Sequence, residues 1–516
     1  MPGLREGTTY ADLIRLALER HRSRVAFVGD TGSVTYGQAA DRVGRTVAAL
    51  AASGVRPGDG VAVLGANTPA AWMAWAAAAV LGARFTALQP VSSDEDRAFV
   101  CEDGEISTVV FEPAFDAAAS RLGDGGRRLL ALGPSEVAPD LATRAEAAPP
   151  QRLRPTVGED DPSALLYTGG TTGTPKGVLL SHRAFAEMVF NALCDFELPP
   201  EVRYLAASPI THAATIMVVP TLLRGGTVHL HPRFDPERFL ATIERERITL
   251  CFGVPTMVYR LLGEPALART DTTSLRTFVY GAAPMGASRL AEALGAFGPV
   301  FTQFYGQTES AGTGTVLAKA DHDPADPGRL LSCGTPGTGV RLRVVDADDE
   351  DVAPGNAGEI CLQGRGVMDR YWGLPDLTTH TLRGGWLHTG DVATVDDDGF
   401  VTIVDRARDA IVTGGFTVFP RQIEDVLRDH PAVHDAAVIG VPDETWGEAV
   451  KAVVALQPGA VVDPAELVAL VRRRRGPVHA PKSVDVVDAI PLTPTGKADK
   501  AALRRPWWEG QPRNVG

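Results

Sequence analysis

Tyr167-Thr-Gly-Gly-Thr-Thr-Gly-Thr-Pro-Lys-Gly177 packs four glycines, four threonines and one lysine into a single stretch, directly after the apolar run Ala164-Leu165-Leu166. Glycines let the backbone turn tightly and approach a ligand closely, so that its N–H groups line a positively polarised nest. The threonine hydroxyls add donors and Lys176 adds a point charge, a combination suited to a polyphosphate. The common nucleoside-triphosphate loop ends in Gly-Lys-Ser/Thr. Here Lys176 follows Pro175, so this is a different loop. It sits between an apolar strand and the apolar Val178-Leu179-Leu180, as a ligand loop between two buried strands should.

Working outward, alternating elements fill residues 160 to 310. Strands are expected at 226–230, 250–253, 277–280 and 300–305. Helices are expected at 257–262 and 289–297, and another opens at Asp235-Pro236, with Asp as N-cap and Pro at the first helical position. Such alternation implies an α/β fold with a largely parallel, helix-covered sheet, whose ligands bind beyond the carboxyl ends of the strands. The segment before 160 has similar character and is expected to build a second, related layer. Short strands at 341–345, 359–362 and 401–404, separated by Gly, Pro and Asp turns, read as a β-rich subdomain. A charged Asp405-Arg-Ala-Arg-Asp409 follows, then a compact α+β tail. We expect a large N-terminal domain over 1–404 and a small C-terminal domain over 405–516 on a hinge.

A chain of 516 residues exceeds one hydrophobic core, which fits two domains. A net charge of −13 argues against a general nucleic-acid binder. The cysteines 101, 194, 251, 333 and 361 are scattered without a CxxC pair and read as reduced thiols rather than disulfides or a metal site. The longest apolar run, 70–83, is shorter than the roughly 20 residues of a membrane span. It reads as a buried alanine-rich helix entered at Pro69, and no apolar signal core opens the chain. No integral membrane contact and a cytoplasmic location are the expectations.

Four further motifs add chemistry. Gln303-Phe304-Tyr305-Gly306-Gln307-Thr308-Glu309 ends a predicted strand with a carboxylate. A carboxylate beside a phosphate loop calls for a divalent cation, and magnesium is held by one or two carboxylates plus substrate phosphates. Glu309 is therefore a Mg²⁺ candidate, Thr308 a phosphate donor and Tyr305 a flat surface for a base. Thr389-Gly390-Asp391, with Arg406 after it, offers a carboxylate and a guanidinium for a ribose. Thr493-Pro-Thr-Gly496-Lys497 presents a late lysine, and Val412-Thr-Gly414-Gly415 a tight turn.

Together these motifs, in this order over nearly the whole chain, resemble the adenylate-forming superfamily of acyl-CoA synthetases, luciferase-like enzymes and peptide-synthetase adenylation domains. The resemblance implies ATP, Mg²⁺ and coenzyme A as ligands. It implies that Thr168, Gly169, Gly170, Thr171, Thr172, Gly173 and Lys176 grip the ATP phosphates. Gly281, Ala282, Ala283, Gln303, Phe304, Tyr305 and Ile403 are implied around the adenine, and Asp391 and Arg406 on the ribose. Thr308 is implied at the α-phosphate, Glu309 at Mg²⁺ and Lys497 between the substrate carboxylate and the α-phosphate. The resemblance further implies Arg408 at the hinge, Gly414 and Gly415 along the pantetheine tunnel, and Trp446 and Lys482 as coenzyme A contacts. Two positions depart from the pattern. Gly169 stands where serine is usual, which removes one hydroxyl, and Asp405 stands where glycine is common.

Ser208-Pro-Ile-Thr-His212 resembles the segment where the acyl pocket meets the thiol tunnel, with His212 at the gate. Relatives that activate amino acids place aspartate next, and those that take ortho-hydroxylated aryl acids place asparagine. Ala213 supports neither. Ala213, Ala214, Gly281, Gly306 and Ala311 are small, which suggests a roomy apolar pocket for a medium-chain, alicyclic or aryl acid. The expected reaction is acid activation as an acyl-adenylate and transfer to coenzyme A. A carrier protein in trans, an amine, activation of nitrite and a homodimer stay open, as does a catalytically dead AMP-binding regulator.

Overall fold

The computed structural model describes the chain outside residues 1–6, 91, 150, 169–174, 212, 407–408, 410, 414–415, 444–445, 494–496 and 510–516. It also leaves out the side chains of 405, 406, 412, 416, 417 and 447. Two large sheets form the centre. In the nine-stranded sheet, Val25–Gly29, Thr227–Leu230, Arg203–Ala206, Leu250–Gly253, Thr277–Gly281 and Phe301–Tyr305 run parallel in that spatial order. Gly32–Thr35 closes one edge antiparallel, and Thr315–Leu317 with Thr335–Pro336 closes the other. The seven-stranded sheet carries five parallel strands, Pro162–Thr168, Arg84–Leu88, Gly60–Leu64, Ile106–Phe111 and Arg128–Ala131. At its edge Lys176–Ser181 runs antiparallel to Pro162–Thr168, and Arg370–Tyr371 pairs antiparallel with Lys176–Ser181 in turn.

The expected second layer is present as a second sheet, and the two sheets exchange strands. The early hairpin Val25–Thr35 pairs into the sheet built by residues 203–336, while the strands at 162–181 and 370–371 complete the sheet begun by residues 60–131. Val25–Gly29 and Pro162–Thr168 each join the partner sheet through a parallel neighbour, Thr227–Leu230 and Arg84–Leu88, and bring their antiparallel hairpin partners with them.

The buried alanine-rich segment is the helix Pro69–Leu81, capped by Thr68, whose side chain accepts from the Ala71 N–H, and ended by Gly82 at φ 83°. Its Trp75 stacks on Phe85 of the adjacent strand, centroids 4.3 Å apart. Apolar on every side, it suits a helix packed between layers. Among the described residues no helix is long and apolar enough to cross a membrane.

The β-rich subdomain is a four-stranded antiparallel sheet, Arg341–Val345, Gly358–Gln363, Leu387–Val395 and Val401–Arg406. The next sheet starts at Ile411–Thr413 and belongs to the tail, with Phe416–Val418, Val433–Asp443, Gly447–Leu456 and Ser483–Val487. Helices Pro420–Arg428, Pro464–Arg475 and Lys500–Trp508 complete it. This tail has its own apolar cluster around Ile423, Val438, Val454 and Leu467. Ser288 of the large domain meets Asp429 of the tail at 3.4 Å. All five cysteines are free thiols, four of them buried and Cys194 exposed.

Candidate active site

The opening loop is the turn of an antiparallel hairpin. Thr168 and Lys176 are partners at its mouth, and Tyr167 pairs with Gly177. Gly169, Gly170, Thr171, Thr172 and Gly173 lie outside the described residues, as do His212, Arg408, Gly414 and Gly415. The outer arm of this hairpin pairs with Arg370–Tyr371, Tyr371 opposite Val178. That pairing sets Lys176 Nζ 5.9 Å from the Tyr371 ring centroid, and the Tyr371 hydroxyl donates to Glu309 Oε1 at 2.8 Å. One buried tyrosine thus ties the hairpin lysine to the acidic residue.

Thr308 and Glu309 sit in a single turn of 3₁₀ helix, Thr308–Ser310, at the end of the strand Phe301–Tyr305. Gln307 and Ser310 cap the turn reciprocally, and Ala311 closes it at φ 50°. A half-buried carboxylate that offers hard oxygen, linked through Tyr371 to the Lys176 hairpin, fits a magnesium ion shared with substrate phosphates.

Asp391 is almost wholly buried, at 3% exposure. Its Oδ2 accepts from the Tyr305 hydroxyl at 2.8 Å and from Gln307 Nε2 at 2.6 Å. Burial first, then the Asp391 charge, pushes the Tyr305 phenol well above its usual range, so it stays a neutral donor. Asp391 stands opposite Arg406 in the ladder between Leu387–Val395 and Val401–Arg406. The arrangement brings Tyr305, Gln307, Asp391 and the backbone of Arg406 into one place.

The proposed base wall has a different logic residue by residue. A Cβ on Gly281 would lie 2.5 Å from the Phe304 carbonyl oxygen, and one on Gly306 2.4 Å from the Gly312 backbone. At both positions two backbone segments of the chain meet too closely to admit a Cβ. Ala282 holds φ 64°, in the left-handed region that a non-glycine residue occupies at a cost. Ala283 is half-buried. Phe304 turns its ring into the core beside Phe196 and Phe252, with centroids 5.4 and 6.1 Å away, which leaves its backbone for the wall. Gln303 is buried and its Oε1 lies 3.4 Å from the Tyr280 hydroxyl. Ile403 is half-buried against the core.

Ala213 and Ala214 open a short 3₁₀ turn, Ala213–Met217, and the Ala214 carbonyl accepts from the buried Tyr204 hydroxyl at 2.9 Å. The segment leading to them is clamped by Asn67, whose amide donates to Ser208 O at 2.7 Å and accepts from the Ile210 N–H at 3.0 Å. Ala311 is buried.

In the tail, Lys482 Nζ lies 5.3 Å from the ring centroid of Trp446, which is 46% exposed. A cation beside an exposed indole suits a flat base with a phosphate nearby, the chemistry of coenzyme A. Lys497 is exposed at the base of a turn closed by Thr493 N–H to Lys497 O, 2.7 Å, and Lys497 N–H to Thr493 Oγ1, 3.2 Å. Just after it, Lys500 pairs with the buried Glu424 at 2.8 Å, fixing the turn to the helix Pro420–Arg428.

Sequence reasoning did not assign Tyr371, Gln307 as the partner of Asp391, or Asn67. Each acts through a contact distant in the chain, and no local spacing marks it.

Comparison with known proteins fits this geometry. Residues 14–372 match the model of the AMP-binding enzyme family and residues 422–497 that of the AMP-binding enzyme C-terminal domain. The chain is 43% identical to the medium/long-chain-fatty-acid–CoA ligase FadD8 of Mycobacterium tuberculosis, over 99% of this chain and 92% of that one. It is 39% identical to a feruloyl-CoA synthase of an Amycolatopsis species, over 95% and 97%. The solved amide bond synthetase McbA of Marinactinospora thermotolerans superposes with a TM-score of 0.89 at 36% identity, covering 97% of this chain and all (100%) of that one. With the hairpin, the carboxylate turn and the buried aspartate in place, this chain belongs to the AMP-binding family of adenylate-forming enzymes and is most like its AMP-forming acid:CoA ligases.

Proposed function

We propose that this enzyme activates a medium-chain, alicyclic or aryl carboxylic acid with ATP and transfers it to coenzyme A. The observation that carries this reading is the convergence of the Lys176 hairpin, Glu309 and Asp391 through Tyr371, Tyr305 and Gln307. In the first step a carboxylate oxygen attacks the α-phosphate of ATP. The new O–P bond replaces the bond to pyrophosphate, which leaves, and the product is an acyl-adenylate. No general base is needed because the carboxylate is ionised at neutral pH. In the second step the sulfur of coenzyme A bonds to the carbonyl carbon, the carbon–oxygen bond to AMP breaks so that AMP leaves, and the thiol proton passes to solvent.

The residues divide the work by charge and position. The glycine-threonine loop with Thr168 and Lys176 takes the phosphates that depart. Thr308 faces the α-phosphate, and Asp391 with Arg406 takes the ribose. Glu309 would hold Mg²⁺, which supplies positive charge to the phosphates. Lys497 bridges the substrate carboxylate and the α-phosphate. Preorganised groups of this kind typically contribute about 3 kcal/mol or more each at the transition state. The adenine sits between Tyr305, Ile403 and the backbone of 281–283 and 304. His212, Ala213 and Ala214 face the acid where it meets the thiol. Residues 1–404 form the adenylating domain, and residues 405–516 reorient about Arg408 so that Gly414, Gly415, Trp446 and Lys482 receive coenzyme A. The enzyme works in the cytoplasm.

Pyrophosphate release across a panel of acids, with and without coenzyme A, tests this directly. Acid-dependent release coupled to coenzyme A consumption is expected. Release without thiol consumption would indicate a carrier protein in trans, an amine or nitrite chemistry. No release on any acid would overturn the proposal and point to an AMP-binding regulator.

A further inference from the structure

The ladder between Gly358–Gln363 and Leu387–Val395 breaks where Asp391 stands. Glu359 pairs with Val392 and Cys361 with His388, so Ile360 alone faces Thr389, Gly390 and Asp391. Such a bulge re-aims a side chain and strands the backbone groups that the ladder no longer pairs. Three of these groups are met by side chains, two across the strands and one within the bulged strand. Thr389 Oγ1 donates to the Ile360 carbonyl at 2.7 Å and accepts from the Asp391 N–H at 3.1 Å. The Gly390 N–H donates to Glu359 Oε1 at 2.8 Å, with Gly390 at φ 70°.

The other oxygen of Glu359 is held as firmly. His388 Nδ1 lies 3.0 Å from Oε2, and Arg383 lies 3.4 Å from it while bridging to Asp349 at 2.9 and 3.0 Å. The ligand-capable atoms of Glu359, Cys361 and His388 come within 4.8 Å of one another, which on composition alone could pass for a metal site. The Arg383 guanidinium already supplies positive charge there. Burial pushes the Cys361 thiol up to about 12, which keeps it protonated and a poor ligand. The cluster serves the protein itself.

We infer that Glu359 is a positioning residue for nucleotide binding: its carboxylate, locked by Arg383 and His388, holds the Gly390 turn so that Asp391 meets the ribose hydroxyls. The inference rests on the reading of Asp391 as the ribose ligand. A carboxylate that accepts a backbone N–H makes a strong, directional tie. Without it, the Gly390 N–H would seek another partner and the turn would relax.

The test compares kcat/KM for ATP with that for 2′,3′-dideoxy-ATP, using pyrophosphate release with a fixed acid. A general structural lesion weakens both nucleotides together, whereas a misplaced Asp391 erases the preference for the ribose hydroxyls. Glu359→Ala is expected to reduce that preference by about tenfold or more, the loss typical of a hydrogen bond to a charged group. Glu359→Gln keeps an acceptor for Gly390 and should retain most of the preference. Glu359→Asp keeps the charge but withdraws it from the Gly390 N–H by one methylene, and it carries the same expectation as Glu359→Ala, should that variant not fold. Asp391→Ala is the control. If it keeps the wild-type preference, the ribose reading itself is wrong. If it loses the preference while folded Glu359→Ala, or Glu359→Asp in its stead, keeps it, the positioning role alone is overturned.

Discussion

The Tyr305 hydroxyl donates to Asp391 Oδ2 at 2.8 Å, joining the end of a parallel strand in the large sheet to the bulged strand of the β-rich subdomain. The phenol therefore fixes the aspartate while its ring stays available to a base. Tyr305→Phe should remove the donor and keep the ring. Because Gln307 still holds the same oxygen at 2.6 Å, the loss should be modest, a rise in KM for ATP of about tenfold or less. Tyr305→Ala should cost more. Steady-state kinetics with ATP varied at saturating acid would measure both, and equal effects would contradict the separation of the two roles.

Lys497 is exposed on a turn of the tail, outside the sheet that carries Asp391. Lys497→Ala is expected to lower adenylate formation by roughly 10²- to 10³-fold, the scale of one lost transition-state donor. Thioester formation from a supplied acyl-adenylate should persist. Single-turnover assays of each half-reaction measure this, and an equal loss in both would refute a lysine that serves only the first.

The Trp446–Lys482 pair is expected to act on the thiol step. Trp446→Ala removes the flat surface beside the Lys482 ammonium, 5.3 Å from the ring. KM for coenzyme A should rise by about three- to tenfold, on the scale of a surface cation–π contact plus lost stacking. A change confined to KM for ATP would show that this pair lies elsewhere in the cycle.

Gly281→Ala should damage both fold and site. The added methyl would sit 2.5 Å from the Phe304 carbonyl, a backbone atom that cannot swing away. Overpacking of this kind typically costs about 1 to 3 kcal/mol. The expected result is a lower thermal midpoint together with weaker AMP binding by calorimetry. An unchanged midpoint would mean that the two strands can part.

Acid should unfold the protein earlier than its carboxylates alone predict. Burial lowers His182, His229 and His231 from 6.5 to about 4 in the folded chain. Between those values the unfolded chain binds more protons than the folded one, so stability rises with pH across this window. The contribution is fully present above 6.5 and is lost as pH falls towards about 4. For the fully buried His182 it amounts to up to roughly 3 kcal/mol. Urea midpoints measured from about pH 7.5 to about pH 4.5 should fall in wild type and flatten in a His182→Leu variant that folds. Parallel profiles would show that His182 titrates normally.

Local elements and motifs were legible in the amino-acid order. Its glycine-threonine hairpin, the Thr308-Glu309 turn, Thr389-Gly390-Asp391 and the alternation of strands and helices all follow from short-range rules of periodicity, capping and turn geometry. The helices Pro69–Leu81, Pro236–Glu246 and Pro464–Arg475 start at Pro because capping is decided within one turn. Tertiary structure decided the rest. Which strands share a sheet depends on burial across hundreds of residues, so Val25–Gly29 lies beside Thr227–Leu230 and Arg370–Tyr371 beside Lys176–Ser181. Only that packing brings Tyr371 to Glu309 and Tyr305 to Asp391. Glu359 is the clearest case. In sequence it is one polar residue in a strand, and its tie to Gly390 exists only because a bulge in the facing strand frees that N–H. Gly281 and Gly306 make the same point: from sequence they looked like room for a substrate, and in the fold they are where two backbones meet.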